Sequence, residues 1–264
     1  QVTKLFECCI NTKRSTGGYA LSVDLGISGR KALVAASSAG LGYATAAALG
    51  QAGCLVVISG RNEERLHEAA ASIPNTIPIV SDVSTPDGAT SLVEDAEKAF
   101  DSGIDILVTN AGGPPPGDFA STEVDAYSSA LDLNLMSVIA MCKASVPGMQ
   151  ERKWGRVLAI TSISVRQPIP NIMLSNTARA GATGFLKTLA LEVAKDGVTV
   201  NSIQPGFHAT DRVTSIYGDA DLNELAKTVP AGKIGKAEDF GQVAAFLCSE
   251  QAGYITGAAL PVAG

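Results

Sequence analysis

The chain has 264 residues, enough for one large α/β domain and too few for two full ones. Its formal net charge is −6 and its Lys and Arg residues form no cluster, which argues against nucleic acid or an anionic membrane as a partner. No run of about 18 apolar residues occurs, so we expect no membrane-spanning helix. The five cysteines fit no metal-ligand spacing, so we expect no metal site and predict a reducing, cytoplasmic location.

Residues 1–22 show neither periodicity nor the apolar core of a signal peptide. We interpret them as an upstream extension or a cloning remnant, and we place a single domain at residues 23–264. Short apolar runs alternate with helical patterns from Lys31 onward, which is typical of βαβ units. We therefore predict an α/β fold, a doubly wound (Rossmann) seven-stranded parallel sheet with helices on both faces. The predicted strands are Lys31–Ala36, Cys54–Ser59, Ile77–Ser81, Asp105–Asn110, Arg156–Thr161, Val198–Ile203 and Ala258–Val262.

Polar residues and prolines mark the starts of the predicted helices. Asn62 or a residue near it is expected to cap the second helix, Ser84 or Thr85 with Pro86 to open the third, and Ser121 or Thr122 to open the fourth. Pro261 places the last strand at a sheet edge.

A glycine-containing turn directly follows the first strand and opens a helix. Its residues Ala36, Ser38, Gly40, Leu41 and Gly42 have the context of a phosphate-binding turn, where glycines let the backbone approach a pyrophosphate at the helix start. The alternative interpretation is an ordinary tight strand-to-helix connection.

Further polar and small residues recur at the carboxyl ends of the later strands, where open α/β sheets bind ligands. They are Asp82 and Val83, Asn110, Ala111 and Gly112, Asn134, Ser162, and Pro205 with Gly206. With the turn, they make the chain resemble the short-chain dehydrogenase/reductase (SDR) family from Val23 to Gly264.

The resemblance implies how a dinucleotide would bind. Gly40, Leu41 and Gly42 match the second half of the family's turn, and Ala36 stands at its first glycine position, where we expect only slight crowding. Asp82 and Val83 match the adenine contact, although Asp82 also suits a helix cap. The set expected to line the central and nicotinamide parts of the cofactor is Asn110, Ala111, Gly112, Pro205, Gly206, His208 and Thr210.

The end of the second strand decides the expected cofactor. Gly60 lacks the carboxylate that would repel a 2′-phosphate, and Arg61 offers a guanidinium to it, so we predict NADP(H) as the preferred cofactor with NAD(H) possible. The alternative for Arg61 is a solvated residue at a helix start.

The catalytic positions depart from the family. Ser162 and Asn134 match its serine and asparagine, but Ser175 and Arg179 stand where it has Tyr and Lys. We expect Arg179 to grip the cofactor ribose and stabilise an oxyanion, while Ser175 does not replace the Tyr acid. The proton then comes from water relayed through Asn134 and Ser162, or from His208, whose alternative role is a loop residue that meets the cofactor with its backbone.

The resemblance favours an oxidoreductase that interconverts a small carbonyl and a secondary alcohol, with 3-oxoacyl thioesters or cyclic ketones as leading substrates. The alternatives are a nucleotide-binding sensor or partner subunit without redox activity, and a non-redox lyase or isomerase. A lid is expected at about residues 208–228, and a homotetramer or homodimer is expected from the family.

Overall fold

The computed structural model describes residues 23–264, except for the side chains of residue 212 and residues 215–221; the interpretation of residues 1–22 lies outside this range. Seven parallel strands form one sheet in the order β3-β2-β1-β4-β5-β6-β7. The strands are β1 Lys31–Val34, β2 Leu55–Gly60, β3 Thr76–Val80, β4 Ile106–Thr109, β5 Gly155–Ile160, β6 Val198–Pro205 and β7 Ala259–Val262. The predicted α/β doubly wound sheet is confirmed.

The helices cover both faces of this sheet. They are α1 Gly40–Gln51, α2 Glu63–Ala71, α3 Pro86–Phe100, α4 Ala126–Leu131, α5 Ser137–Glu151, α6 Met173–Val193, α7 Asp211–Thr228 and α8 Ala237–Leu247. Because strand side chains alternate between faces, Leu33 and Val57 pack with α3, α5 and α6 in one core, whereas Val34 and Ile58 pack with α1, α2 and α8 in the other. Two apolar layers thus fix the sheet whose carboxyl edge carries the site.

Strand ends differ from the prediction where pairing or backbone conformation decides them. β1 stops at Val34 because the chain then turns, and Ala36 has a φ of 46°. β6 continues to Pro205 because Pro205 is in register with Val262 of β7. β7 is an edge strand, as Pro261 predicted.

The helix starts were predicted correctly for α2 and α3. Asn62 caps α2 by accepting from the Arg65 amide at 2.8 Å, and Thr85 caps α3 by accepting from the Gly88 amide at 3.1 Å. The predicted start at Ser121 or Thr122 is wrong, because α4 begins at Ala126 and the Ser121 hydroxyl donates to Asp118 in the preceding loop at 2.7 Å.

α4, a five-residue π turn at Asp132–Met136 and α5 form one helical run, Ala126–Glu151. By length and composition alone this run is long and apolar enough to cross a membrane, which the expected absence of such a segment did not foresee. Polar and charged residues, among them Asp132, Asn134 and Lys143, interrupt its apolar sequence, so no unbroken apolar stretch marks it. In the fold its Met141, Cys142 and Val146 are buried against α3 and the sheet.

Candidate active site

The turn after β1 is braced against the end of β2. The buried Ser37 hydroxyl donates to the Val34 carbonyl at 2.6 Å and accepts from the Ser59 amide at 3.2 Å. In return, the Ser59 hydroxyl accepts from the Ala36 amide at 3.0 Å. Sequence reasoning missed this serine pair; its signal is a serine directly after Ala36 in the turn and another serine near the end of the neighbouring strand.

Ala36 occupies a backbone conformation that favours glycine. Its φ of 46° lies in the left-handed region, where a Cβ atom costs about 1–2 kcal/mol. The expectation that alanine crowds this turn only slightly is therefore wrong. Gly40, with a φ of 61°, supplies the second left-handed residue without that cost.

Asn110, just beyond β4, holds the turn from the other side. Its Nδ2 donates to the Ala36 carbonyl at 2.9 Å. A Cβ at Gly42 would lie 2.7 Å from that carbonyl oxygen and 2.8 Å from the same Nδ2, so only glycine lets α1 start this close to the turn. Ala39, the residue before α1, has no side-chain acceptor for the amides in the first turn of α1. Those amides can therefore donate to an external anion.

The end of β2 has no room for a side chain. Gly60 is buried, and a Cβ there would lie 2.9 Å from Ser38 Oγ. Arg61, the next residue, is exposed at the same corner as Ser38. A 2′-phosphate would meet a guanidinium and a hydroxyl here and no carboxylate of β2.

Asp82 and Val83 follow β3 with different surroundings. Asp82 is exposed, and its Oδ1 accepts from the Ser84 amide at 3.0 Å. Its alternative role as the cap of the following helix is wrong, because Thr85 caps α3. Val83 is buried in the core with α3.

Asn134 lies in the π turn and points toward the segment after β4. Its Nδ2 donates to the Gly112 carbonyl at 2.9 Å, while its buried Oδ1 has no partner among the described residues. A buried acceptor of this kind normally binds water or a ligand. Ala111 packs against the core, and a Cβ at Gly112 would face open space.

Arg179 joins α6 to the end of β5. Its Nε donates to Ser175 Oγ at 3.2 Å, and its Nη1 donates to the carbonyls of Ile160 and Thr161 at 3.1 and 3.2 Å. Ser162 follows directly, and its hydroxyl accepts from the Ser164 amide at 3.1 Å. The structure thus brings Ser162, Ser175 and Arg179 to one strand end, as the family positions predict.

His208 lies between β6 and α8. Its ring is buried, packs edge-on against Phe240 at a centroid distance of 5.2 Å, and has Nδ1 3.2 Å from the Gly206 carbonyl oxygen. Burial lowers the pKa of the imidazole. These contacts favour the interpretation in which the His208 backbone, rather than its ring, faces the cofactor.

The last expected contacts come from the segment between β6 and α7. Pro205 ends β6, and Gly206 has no room for a side chain because a Cβ would lie 2.8 Å from that of Ala263. Thr210 caps α7, the predicted lid, and a Cβ at Gly40 would lie 3.7 Å from Thr210 Cγ2. Thr210, the residue before α7, is thereby close to the turn after β1, and Leu41 lies beside that turn in the first turn of α1.

Comparison with known proteins agrees with this arrangement. Residues 35–264 match a family model described as enoyl-(acyl carrier protein) reductase. The chain is 34% identical to human dehydrogenase/reductase SDR family member 4 over 90% of its length and 87% of that protein. It is 35% identical to the 3-oxoacyl-[acyl-carrier-protein] reductase FabG of Haemophilus influenzae over 89% of its length and 97% of that protein.

Solved structures show the same architecture. L-sorbose reductase from Gluconobacter frateurii, complexed with NADPH and L-sorbose, has a TM-score of 0.85 and 33% identity, covering 91% of this chain and 97% of that one. A 3-oxoacyl (acyl-carrier-protein) reductase from Agrobacterium tumefaciens C58 with NADP bound has a TM-score of 0.85 and 30% identity, with 91% and 95% covered. The chain belongs to the short-chain dehydrogenase/reductase family of oxidoreductases.

Proposed function

We propose that this protein is an NADP(H)-preferring oxidoreductase that interconverts a small ketone and a secondary alcohol, with NAD(H) as a weaker alternative cofactor. The observation that carries the proposal is the Arg179 guanidinium, bonded to Ser175 and to the end of β5 directly before Ser162. Relatives solved with NADPH and NADP, and one 26% identical with NADH, support the choice of cofactor.

The residues present fit a dinucleotide. The turn after β1 has a helix start without a side-chain cap, and Gly42 lets α1 begin close to that turn. At the end of β2, Gly60 contributes no carboxylate beside Ser38 and Arg61. The cofactor would supply or accept the hydride. Asn110 would keep the turn in its binding conformation through the Ala36 carbonyl.

Hydroxyl groups and one fixed cation would act on the substrate oxygen. Ser162 and Ser175 would donate hydrogen bonds to it, and Arg179 would stabilise its negative charge. Arg179 donates to Ser175 Oγ, and a guanidinium carries no acceptor atom to which the Ser175 hydroxyl could donate in return. The Ser175 proton therefore stays available for the substrate. Water held by the unpaired Asn134 Oδ1 would supply the proton.

A nucleotide-binding protein without redox activity is the second candidate. It is favoured by the replacement of the family's tyrosine acid by Ser175 and by the two main-chain carbonyls that Arg179 Nη1 already binds. A guanidinium engaged in this way has less freedom to move onto the ribose.

Two measurements separate these candidates. Fluorescence titration with NADPH and NADH should show binding that prefers NADPH, and Arg61→Ala should weaken NADPH binding by about 10-fold with little effect on NADH. Arg65→Ala, an exposed arginine on the next helix, is the matched control. Failure to bind either nucleotide would refute both candidates.

Turnover is then tested with NADPH and a carbonyl panel. The panel contains a 3-oxoacyl thioester, a cyclic ketone and L-sorbose, taken from the relatives' substrates and from the family resemblance. Carbonyl-dependent NADPH oxidation supports the oxidoreductase, whereas tight binding without any oxidation supports the second candidate. Gel filtration with light scattering tests the proposed homodimer or homotetramer.

A further inference from the structure

Asn176 stands next to Ser175 in the first turn of α6 and bonds outside its helix. Its Nδ2 donates to the Ile169 carbonyl at 2.9 Å, outside the helix, whereas its amide makes the regular first main-chain bond of α6, to the Ile172 carbonyl at 3.0 Å. Its Oδ1 is buried and has no partner among the described residues. The side chain therefore uses only its donor half, and it uses that half on the loop that leads from Ser162 to α6.

This loop, residues 166–172, is held at its start by Arg166, whose amide donates to the Ile163 carbonyl at 2.9 Å and whose Nη2 donates to the Ala259 carbonyl at 2.9 Å. Pro168 and Pro170 have no amide hydrogen, and Asn171 has a φ of 62°. The Asn176 carboxamide holds its middle. Its end pairs with the segment after β4, since the Gly117 amide donates to the Asn171 carbonyl at 2.8 Å and the Met173 amide to the Gly117 carbonyl at 3.1 Å.

The same segment after β4 also contacts the catalytic asparagine. Gly112 accepts from Asn134 Nδ2, so Asn134 and Asn176 bond to the two loops that pair at Gly117 and Asn171, and the main chain of residues 112–117 and 169–172 connects these bonds. Both loops leave the carboxyl edge of the sheet, where a substrate would stand beside Ser162 and Ser175.

We propose that Asn176 is a positioning residue for substrate. Through its bond to the Ile169 carbonyl it holds in place the loop of residues 166–172, which lines the substrate side of the site. The expected change in KM rests on the proposed function, because it needs a carbonyl substrate. The expected support of the loop by Asn176 does not. The buried, unpaired Oδ1 costs stability, so Asn176 is expected to contribute to substrate binding more than to the stability of the fold.

The decisive variant is Asn176→Leu, which keeps a similar volume and removes both the donor and the unpaired acceptor. It should raise KM for the carbonyl substrate by about five-fold or more while kcat and the NADPH Kd change little. The Tm should stay within about 2 °C of wild type. Asn176→Gln, which retains an amide donor, should recover part of the lost affinity. Thr177→Ala is the matched control, because Thr177 is exposed and its hydroxyl donates within the helix, to the Met173 carbonyl at 3.0 Å.

A readout without turnover tests the loop itself. Arg166 is exposed at the start of the loop, so trypsin cleavage after it should accelerate several-fold in Asn176→Leu and not in Thr177→Ala. An unchanged KM and unchanged cleavage would overturn the proposal, and so would a lower Tm with a proportional loss of kcat at constant KM. If the wild-type protein turns over no carbonyl, the proposed function fails and the cleavage rates alone decide the role of Asn176.

Discussion

Asn110 Nδ2 and the Ala36 carbonyl oxygen, 2.9 Å apart, connect the end of β4 to the turn after β1. The bond holds a strained turn in place from a neighbouring strand. Asn110→Ala would remove it and leave the Ala36 carbonyl without this donor. We expect the NADPH Kd to rise about 10-fold, since such a bond contributes about 1 kcal/mol or slightly more. Fluorescence titration measures this, Asn223→Ala on exposed α7 surface is the control, and an unaltered Kd would show that the turn keeps its shape without Asn110.

Ala36→Gly should stabilise the protein. The left-handed conformation at φ 46° costs alanine about 1–2 kcal/mol, and the substitution removes this cost. Part of the stabilisation is offset because glycine gives the unfolded chain more conformational freedom. We expect the free energy of unfolding in urea to rise by about 0.5–1 kcal/mol. Ala35→Gly, next to it and fully buried, should instead lower that free energy. Destabilisation by both changes would contradict the strain at Ala36.

Arg179→Ala should lower kcat/KM by about 100-fold, because it removes a fixed positive charge from the substrate oxygen and the donor to Ser175. Ser175→Ala should cost about 10-fold, the value of one hydrogen bond to a charged group. Steady-state kinetics with NADPH Kd measured in parallel checks both, and Lys187→Ala on exposed α6 surface is the control. An Arg179→Ala variant with unaltered turnover and cofactor binding would disprove both roles given to Arg179.

His208 should make stability depend on pH. Burial against Phe240 lowers the pKa of the folded imidazole below its unfolded value of 6.5, so below that pH the unfolded chain binds more protons than the folded one. The stabilisation that the neutral His208 gives the folded state is complete above pH 6.5. It is lost as the pH falls through the lower pKa of the imidazole in the folded state. Asp239 is the charged neighbour that opposes this lowering.

The measurement is Tm from pH 8 to pH 5 for wild type and His208→Leu. Wild type should lose more Tm on acidification than the variant, because leucine has no proton to bind. His67→Gln, the exposed second histidine, should behave like wild type. Equal losses in wild type and His208→Leu would show that His208 accepts its proton without cost in the folded state.

The fold could be predicted because apolar runs and turn residues alternate along the chain. The strand ends could not, since β1 stops where Ala36 turns left-handed and β6 continues only because β7 pairs with it. The start of α4 was missed because the Ser121 hydroxyl bonds Asp118 in a loop instead of capping a helix.

Residue types and strand ends also predicted which side chains gather at the site. They did not predict what Arg179 binds, because two of its acceptors are main-chain carbonyls, of Ile160 and Thr161, which every residue carries. The left-handed conformation of Ala36 was not predicted either, because it is a property of the main chain that the residue type does not indicate. A sequence shows side chains, whereas this site depends in part on the backbone.

Thr210 lies so close to Gly40 that a Cβ added at Gly40 would meet its methyl group at 3.7 Å, and this proximity has a consequence for the order in which ligands bind. The residue that caps α7 lies against the turn expected to hold the pyrophosphate, so α7 at its first turn and the nucleotide share one wall. Were α7 to act as the predicted lid, a dinucleotide entering after it had closed would have to displace it. We therefore expect an ordered kinetic scheme, in which the nucleotide enters first and leaves last, and the carbonyl compound meets only the complex.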